Sequence, residues 1–230
     1  MTVASPLVRP KECLSLLLVD DHVILRETLR CRLELETDLK VVGEADDGRQ
    51  AVMLAAKLRP EVVIMDIGMP GLNGLEATRQ IMRLVPTTRV LILSAHGDDA
   101  YRARAMEAGA AAYLLKTGSL EGLCVAIRKL KPNGWAGRPG VQPVGSEMRK
   151  RKVESPSRGL TSREVEVLQM IAESYPSKAI AAHLGITVKT VSNHREHLMA
   201  KLDIHDAASL TRYAIREGII QTGGLGEILS

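Results

Sequence analysis

Short apolar runs bounded by turn-forming or charged residues divide the first half of the chain. Five of them are long enough for buried strands, and they read LSLLLV, VVGEA, EVVIMD, RVLILS and AAYLLK. Between and after them lie patterns with a helical period, near residues 22–36, 48–58, 73–84, 98–108 and 119–131. Because strand and helix alternate five times, the pattern predicts an α/β fold with a five-stranded, doubly wound parallel sheet.

Polar and charged residues follow four of these runs at the point where each predicted strand ends. They are Asp20 and Asp21, Asp66, Ser94 and Lys116. Open α/β sheets build their sites at the carboxyl ends of their strands, so these side chains are expected to converge. Together they supply an acid pair for a cation, a nucleophilic carboxylate, a hydroxyl and a fixed positive charge. This set predicts an aspartate that accepts a phosphoryl group.

The periodic pattern is absent from residues 132–158, which are rich in Pro, Gly, Ser and basic residues, including Arg149-Lys150-Arg151-Lys152. We interpret this segment as a flexible linker. It separates a first domain of residues 1–131 from a second domain of residues 159–230. Trp135, the one tryptophan of the chain, lies in this linker.

The second domain is predicted to be entirely helical, with four helices. Thr161 and Glu164 form a capping box that begins the first helix, which continues to about Glu173. Ser177 begins a second helix, and Gly185 ends it with the positive φ of a tight turn. A third helix and a fourth, from Asp206 to Gly218, follow. A short helix, a glycine turn and a longer polar helix indicate a helix-turn-helix.

The third helix, capped by Thr187, combines an apolar stripe with a polar face. The stripe is predicted to contain Val188, Val191, Leu198 and Leu202. Near its start, the outward positions are Lys189, Ser192, Asn193 and Glu196. These polar residues are candidates for contacts with base edges in the major groove of DNA.

Composition narrows the class of protein further. The chain has 230 residues, a net charge of +4 and three cysteines without metal-ligand spacing, so a disulfide framework or a structural zinc has little support. We expect buried thiols in a reducing cytoplasm. The apolar runs are too short to span a bilayer, and neither a signal peptide nor a membrane anchor is predicted.

Residues 14–131 resemble a response-regulator receiver, and the second domain resembles a LuxR-type helix-turn-helix. The second resemblance rests on LTSREVEVLQMIAE, KAIAAHLGITVKTVSNHREHLMAKL and AIREGII. Both sets of motifs occur in the right order, so the chain resembles the NarL/FixJ family of response regulators. This implies a flavodoxin-like receiver joined to an all-α, four-helix DNA-binding domain, and hence a transcription regulator switched by phosphorylation.

The resemblance assigns roles to the residues at the strand ends. Asp66 would accept a phosphoryl group from a sensor histidine kinase, and Lys116 would offset the developing negative charge. Ser94 and Tyr113 resemble the family's switch pair, in which the hydroxyl turns toward the phosphoryl oxygens and the aromatic ring fills the vacated space. The protein would not be an enzyme beyond its own phosphoryl transfer and loss.

The same resemblance implies a Mg²⁺ ion as cofactor. Asp21 and Asp66 would ligate it directly, together with the main-chain carbonyl of Gly68, while Asp20 would act through water. A bare pair of adjacent acids after a buried strand would repel each other, which favours a cation at this position over a simple helix cap.

For the DNA-binding domain, the resemblance implies a homodimer on double-stranded DNA. Lys178, Thr190 and Lys201 resemble residues that contact phosphates, His194 has a packing or phosphate role, and Lys189 could reach phosphate or base. Ser192, Asn193 and Glu196 occupy positions that read bases. The fourth helix is a plausible dimer face through Ala207, Leu210, Ala214 and Ile215. Ser174 stands where glycine is usual, so the turn between the first two helices of this domain is expected to be either differently shaped or strained.

The sequence leaves three other interpretations open. A hydrolase with an aspartyl-phosphate intermediate would want a second acid two residues after Asp66, where this chain has Gly68. A LuxR-type regulator acting without phosphorylation, or by binding a small apolar ligand, would need an enclosed pocket, and a chain without phenylalanine provides poorly for one. His194 and His197 lie three apart on one helix and could suggest a metal site, but no further ligand completes the spacing.

Overall fold

A computed structural model describes residues 13–131 and 159–220, which form fourteen regular elements. The strands are β1 (Leu14–Val19), β2 (Leu39–Ala45), β3 (Val62–Met65), β4 (Arg89–Ser94) and β5 (Ala112–Leu115). The helices are α1 (Val23–Leu33), α2 (Gly48–Leu58), α3 (Gly74–Leu84), α4 (Asp99–Glu107), α5 (Leu120–Lys129), α6 (Ser162–Ala172), α7 (Ser177–Leu184), α8 (Val188–Leu202) and α9 (Ala207–Arg216). In these two segments no helix is both long and apolar enough to cross a membrane. The predicted linker and Trp135 lie outside the described residues.

The five strands form one parallel sheet in the order β2-β1-β3-β4-β5. The prediction of a doubly wound sheet is therefore confirmed. In the pairing of β1 with β3, Val19 lies opposite Met65, so the residues that follow these two strands leave the sheet at the same level. The order changes direction around β1 and β3, and the crevice at such a switch point is where α/β sheets bind their ligands.

Alternating side chains of the central strands pack into two separate cores, one on each face of the sheet. On β1, Leu17 and Val19 belong to the core shared with α2 and α3, whereas Leu16 and Leu18 belong to the core shared with α1 and α5. Because both faces are covered, these strands are apolar throughout, as buried parallel strands are.

Helices α6 to α9 surround a third apolar core, and their ends follow the predicted capping chemistry. The capping box of Thr161 and Glu164 is present, the Thr187 side chain accepts from the Thr190 N–H, and Gly185 has a φ of 62°. Of the predicted stripe on α8, Val191 and Leu198 are fully buried, but Val188 is 47% exposed. Val188 is the first residue of its helix and lies above the core, so including it in the apolar stripe was wrong.

Ser174, which stands where glycine is usual in the family that the chain resembles, adopts the left-handed conformation with a φ of 66°. It follows the end of α6, where the Ser174 N–H donates to the Ile171 carbonyl and the Tyr175 N–H donates to the Met170 carbonyl. This paired arrangement closes a helix end, and glycine is the usual residue at its left-handed position. The backbone of Ser174 is therefore strained, because its Cβ is disfavoured in the left-handed conformation.

The cysteines are only partly as expected. Cys124 is buried in the core beneath α5, whereas Cys13 and Cys31 are exposed. Cys31 lies on the outer face of α1, which has few buried residues. The prediction of a buried thiol was therefore wrong for Cys13 and Cys31.

Replacing Ser174 with glycine is expected to stabilise the protein. The substitution removes the steric cost of a Cβ in the left-handed conformation, and we expect the free energy of unfolding to rise by about 1 kcal/mol. Urea unfolding followed by circular dichroism measures it. The matched control is Ser192→Gly on the exposed face of α8, which should lower stability because glycine disfavours helix interiors. Equal effects of the two changes would contradict the strain at Ser174.

Candidate functional site

The carboxyl edge of the sheet brings together the side chains that the sequence placed at strand ends. Asp20 follows β1, Asp66 follows β3, Ser94 ends β4 and Lys116 follows β5. The Lys116 ammonium lies 2.8 Å from Asp20 Oδ2 and 3.1 Å from Asp66 Oδ2, so it bridges the two carboxylates. Main-chain hydrogen bonds hold both ends of this bridge, because the Asp66 N–H donates to Val19 and the Lys116 N–H donates to Ser94.

Burial dominates the electrostatics of this cluster. Asp66 is 5% exposed, and burial raises the pKa of its carboxyl above the usual 3.8, with Asp20 adding to the rise and Lys116 opposing it. Burial alone would lower the pKa of Lys116, but the carboxylates of Asp20 and Asp66 outweigh it and raise that pKa. Lys116 therefore stays charged, while negative charge on Asp66 is only partly compensated.

The same edge has the donor set for a hard cation. Side-chain ligand atoms of Asp20, Asp21, His22 and Asp66 all lie within 4.8 Å of one another. Asp21 Oδ1 is buried without a well-aligned hydrogen bond, although His22 Nδ1 lies 2.9 Å away. A buried carboxylate oxygen without a hydrogen bond is costly unless something else compensates it, and a divalent cation would do so. The residues therefore fit a metal ion of the Mg²⁺ type.

In the two described segments, no other group of histidine, cysteine and acidic side chains is close enough together for a metal ion. The interpretation of His194 and His197 as ligands is therefore not supported. His22, in contrast, was missed. Its position directly after the acid pair was the one signal that the sequence offered.

Ser94 and Tyr113 lie next to each other through the loop that follows β4. Ser94 is fully buried, and its hydroxyl accepts from the His96 N–H at 3.1 Å. The Tyr113 hydroxyl donates to the His96 carbonyl at 2.6 Å. Burial raises the pKa of Tyr113, which keeps the hydroxyl protonated as a donor. Both predicted switch residues thus hold the same loop, from its two sides.

The predicted DNA-reading residues form a solvent-exposed face on α8. Lys189, Ser192, Asn193 and Glu196 are all exposed, and Lys178 is exposed on α7. Thr190 and His194 are half-buried, and Thr190 shares a hydrogen bond with Thr187. Lys201 differs, because its ammonium lies 2.7 Å from the Glu164 carboxylate and closes the start of α6. That ion pair compensates the charge which a phosphate contact would use.

The dimer face expected on α9 needs correction. Leu210 and Ala214 are fully buried in the core of their own domain and cannot contact a second copy. Ala207 is exposed and Ile215 is half-buried. The apolar spacing that suggested a dimer face is the spacing that packs α9 against α6.

The sequence allowed the receiver to pack on the DNA-binding domain or to hold it unpaired, but it did not identify the residues that join the two domains. Arg49 of α2 lies 2.6 Å from the Glu166 carboxylate of α6, and Arg104 of α4 donates to the Arg216 carbonyl at the end of α9, also at 2.6 Å. Arg49 additionally donates to the carbonyl of His183. Such contacts join residues more than a hundred positions apart, and a single sequence carries no periodic or spacing signal for them.

Comparison with known proteins agrees with this geometry. Residues 16–128 match the response regulator receiver domain, and residues 158–214 match the luxR family of bacterial regulatory proteins. The chain is 38% identical to the transcriptional regulatory protein LiaR of Bacillus subtilis, over 89% of this chain and 98% of LiaR. The chain belongs to the NarL/LuxR family of response regulators. Response regulators of this family are transcription regulators of two-component systems rather than conventional enzymes.

Other response regulators share the arrangement over nearly the full length. The response regulator VraR of Staphylococcus aureus is 34% identical over 90% of this chain and 99% of VraR. The solved structure of the RcsB response regulator from Salmonella typhimurium, described in terms of conformational dynamism for DNA interaction, superposes with a TM-score of 0.56 and 25% identity. It covers 90% of this chain and 98% of RcsB.

Removing the charge of Asp66 is expected to stabilise the metal-free response regulator. Because burial raises the folded-state pKa of Asp66, its ionised form costs stability at neutral pH, and Asp66→Asn should raise the melting temperature in the presence of a chelator. The advantage of Asp66→Asn should fade as the pH falls through the raised pKa of Asp66. It should vanish below 3.8, where the side chain at position 66 is neutral in both proteins. Differential scanning calorimetry from neutral to acidic pH measures it. Asp46→Asn, at an exposed position, is the control, and equal stabilisation by both changes would contradict this account.

Proposed function

We propose that Asp66 is the phosphoacceptor of this response regulator and that its phosphorylation switches DNA binding. The observation that carries the proposal is the bridge of Lys116 between Asp20 and Asp66 at the carboxyl edge of the sheet. In the reaction, a carboxylate oxygen of Asp66 attacks the phosphorus of a phosphohistidine on a sensor histidine kinase. The P–N bond breaks and a mixed anhydride forms. The Lys116 ammonium offsets the negative charge that gathers on the phosphoryl oxygens.

The cofactor in this proposal is Mg²⁺. Asp21 and Asp66 would ligate it directly with the carbonyl of Gly68, and Asp20 would act through water. Asp21 Oδ1, which is buried without a well-aligned hydrogen bond, supports the direct ligation by Asp21. The contacts of Asp20 with the Lys116 ammonium and the His22 N–H support its role through water. When bound, Mg²⁺ neutralises charge between the carboxylate and the incoming phosphoryl group.

A protein partner beside the site is supported by exposed apolar side chains. Val23 and Ile24 begin α1 directly after the acid pair and are 54% and 82% exposed. Exposed apolar side chains next to polar chemistry are typical of surfaces that bind proteins. A sensor histidine kinase, which must bring its phosphohistidine to Asp66, is the partner we propose for this surface.

The output in this proposal is paired binding to DNA. We divide the chain into a receiver of residues 1–131, a flexible linker of residues 132–158 and a DNA-binding domain of residues 159–230. The unphosphorylated receiver packs on the DNA-binding domain, and phosphorylation shifts the population toward a homodimer. The Ser94 hydroxyl turns toward the phosphoryl group, and the Tyr113 ring fills the space behind it. Two α8 helices then read paired half-sites in double-stranded DNA. The protein would act in the cytoplasm, where DNA and the kinase's phosphodonor domain are accessible.

Two other functions are less well supported. Turnover of external phosphate esters would need a proton donor for the leaving group, and the position two residues after Asp66 is Gly68. A regulator working without phosphorylation would have no use for a buried acid cluster with its own ammonium group. We therefore propose that the receiver catalyses only its own phosphorylation and the loss of the aspartyl phosphate.

Phosphorylation is tested by incubating the full chain with acetyl phosphate and Mg²⁺. Intact-mass spectrometry should show one added phosphoryl group in the wild type, none in Asp66→Ala, and strongly reduced labelling in Lys116→Ala or with the metal chelated. Lys129→Ala, at an exposed position on α5, should be labelled like the wild type. Continued labelling of Asp66→Ala would refute the assignment of the phosphoacceptor.

DNA reading is tested on duplexes selected from a random pool with the phosphorylated protein. Asn193→Ala should lose about 1–3 kcal/mol of discrimination at one base pair, because a bidentate contact to a base edge disappears. Lys189→Ala should weaken binding to all sequences and reduce the salt dependence by about one phosphate contact. Fluorescence anisotropy at several salt concentrations separates the two effects. Unchanged specificity in Asn193→Ala would remove α8 as the reading helix.

A further inference from the structure

His22 is the residue before α1, but its side chain does not cap that helix. Residues at this position usually accept a hydrogen bond from the first turn, and the His22 side chain makes none. Its Nδ1 instead lies 2.9 Å from Asp21 Oδ1 and 3.2 Å from Asp20 Oδ1. The ring is therefore turned toward the acid cluster, and one of its nitrogen atoms lies among carboxylate oxygens.

The main chain around His22 is held in place by the same acids. The His22 N–H donates to Asp20 Oδ1 at 2.9 Å, and the Arg26 guanidinium on the first turn of α1 donates to the Asp20 carbonyl. The side chain of His22 is 67% exposed, so its ring can rotate. Nδ1 can therefore reach an ion among the carboxylates without any movement of the backbone.

With His22, the cluster offers four side-chain ligands to one ion. The ligand atoms that lie within 4.8 Å of one another belong to Asp20, Asp21, His22 and Asp66. Ligands at the corners of a tetrahedron around Zn²⁺ are about 3.4 Å apart, so rotations of these side chains are enough to close on it. Three carboxylates with the Lys116 ammonium leave a formal charge of minus two, which one divalent ion cancels.

The histidine nitrogen separates two kinds of divalent cation. Mg²⁺ prefers oxygen ligands in octahedral geometry and keeps several waters, so it leaves positions that a phosphoryl oxygen can take. Zn²⁺ takes four ligands in a tetrahedron and accepts imidazole as readily as carboxylate. A zinc site that receives all four ligands from the protein is closed to further ligands. The imidazole of His22 gives this cluster the ligand number and the ligand types of such a closed site.

We propose that the acid cluster is also a zinc site, in which His22 is the fourth ligand beside Asp20, Asp21 and Asp66, and that Zn²⁺ bound there inhibits phosphorylation. The inhibition rests on the proposed function, whereas the zinc site does not. Zn²⁺ would displace Mg²⁺, engage the carboxylate that attacks phosphorus and leave no open position for the phosphoryl group. His22 thus determines which cation the receiver accepts, and free Zn²⁺ lowers its response.

Isothermal titration of the full chain, stripped of metal with a chelator, measures binding of Zn²⁺ and, separately, of Mg²⁺. Loss of a direct ligand should cost at least as much as loss of an outer-shell partner, so His22→Asn should lower the ratio of Zn²⁺ to Mg²⁺ affinity by about tenfold or more. Asparagine offers an oxygen, which Mg²⁺ accepts better than Zn²⁺ does. The matched control is His197→Asn, the same change at an exposed position of α8, which should keep the wild-type ratio.

Co²⁺ reports the ligands of the site directly. It occupies zinc sites, and its visible absorption is strong when it has four ligands and weak when it has six. The wild type and His197→Asn should give the strong spectrum, and His22→Asn the weak one. A near-ultraviolet band from thiolate to cobalt would place the ion on the exposed Cys13 or Cys31 and would overturn the assignment.

Inhibition is measured by labelling the full chain with acetyl phosphate at a fixed Mg²⁺ concentration and rising Zn²⁺. Each variant is compared with its own labelling without Zn²⁺, so a change in the basal rate does not affect the result. The Zn²⁺ concentration that halves labelling should be about tenfold or more higher in His22→Asn than in the wild type. In His197→Asn it should equal the wild-type value.

The possible failures are distinct. If the wild type takes no phosphoryl group with Mg²⁺ alone, the proposed function is wrong, while the titrations and the Co²⁺ spectra still decide the zinc site. If His22→Asn keeps the wild-type affinity ratio and Co²⁺ spectrum, the zinc site is refuted. A fall of Zn²⁺ affinity in His197→Asn instead would place the ion on α8 and would equally refute it. Zn²⁺ that binds through His22 without reducing the labelling would overturn the inhibition.

Discussion

The contact on which the rest of the molecule depends is the one between the Lys116 ammonium and the carboxylates of Asp20 and Asp66. Buried acids at the edge of a sheet repel each other, and each further acid in such a cluster raises the free-energy cost of folding. One fixed positive charge makes the arrangement tolerable without fully balancing it. In the proposed function, the remaining negative charge attracts the cation that phosphoryl transfer to Asp66 needs. Stability and reactivity thus share a single cause.

The path of the chain after β3 connects this charge cluster to the start of α3 and, through it, to the other domain. Strand β3 ends at Met65, and the chain then crosses the edge of the sheet before α3 begins at Gly74. A Cβ at Gly74 would lie 1.8 Å from the Asp66 carbonyl oxygen, so the start of α3 is pressed directly against the phosphoacceptor. A displacement of the Asp66 main chain would therefore shift the first turn of α3 and the residues in contact with that turn. In this protein, Gln169 of α6 accepts hydrogen bonds there from Asn73, the residue that caps the start of α3.

Local chemistry predicted most of the fold and of the acid cluster, and it did so for identifiable reasons. Apolar runs that end in charge gave the strands and the positions of Asp66 and Lys116, because the ends of parallel strands must meet. Side-chain caps gave the helix starts at Thr161 and Thr187. The error about the dimer face has a physical origin, since an apolar residue such as Leu210 is equally suited to a domain core and to a dimer face. The domain contacts of Asn73 and Gln169 depend on tertiary arrangement, which spacing along the chain does not encode.

The exposure of α8 has a consequence for how DNA binding would be controlled in the proposed mechanism. Lys189, Asn193 and Glu196 remain open to solvent while the two domains are in contact. In the proposed mechanism, contact between the domains would therefore not hide the reading face of α8, and a single copy would keep Lys189 available to a DNA phosphate. The closed form would instead lack the freedom of its α8 to align with the α8 of a second copy at the spacing of a helical turn. In such a mechanism, the orientation of α8, and not its burial, would limit paired binding to DNA.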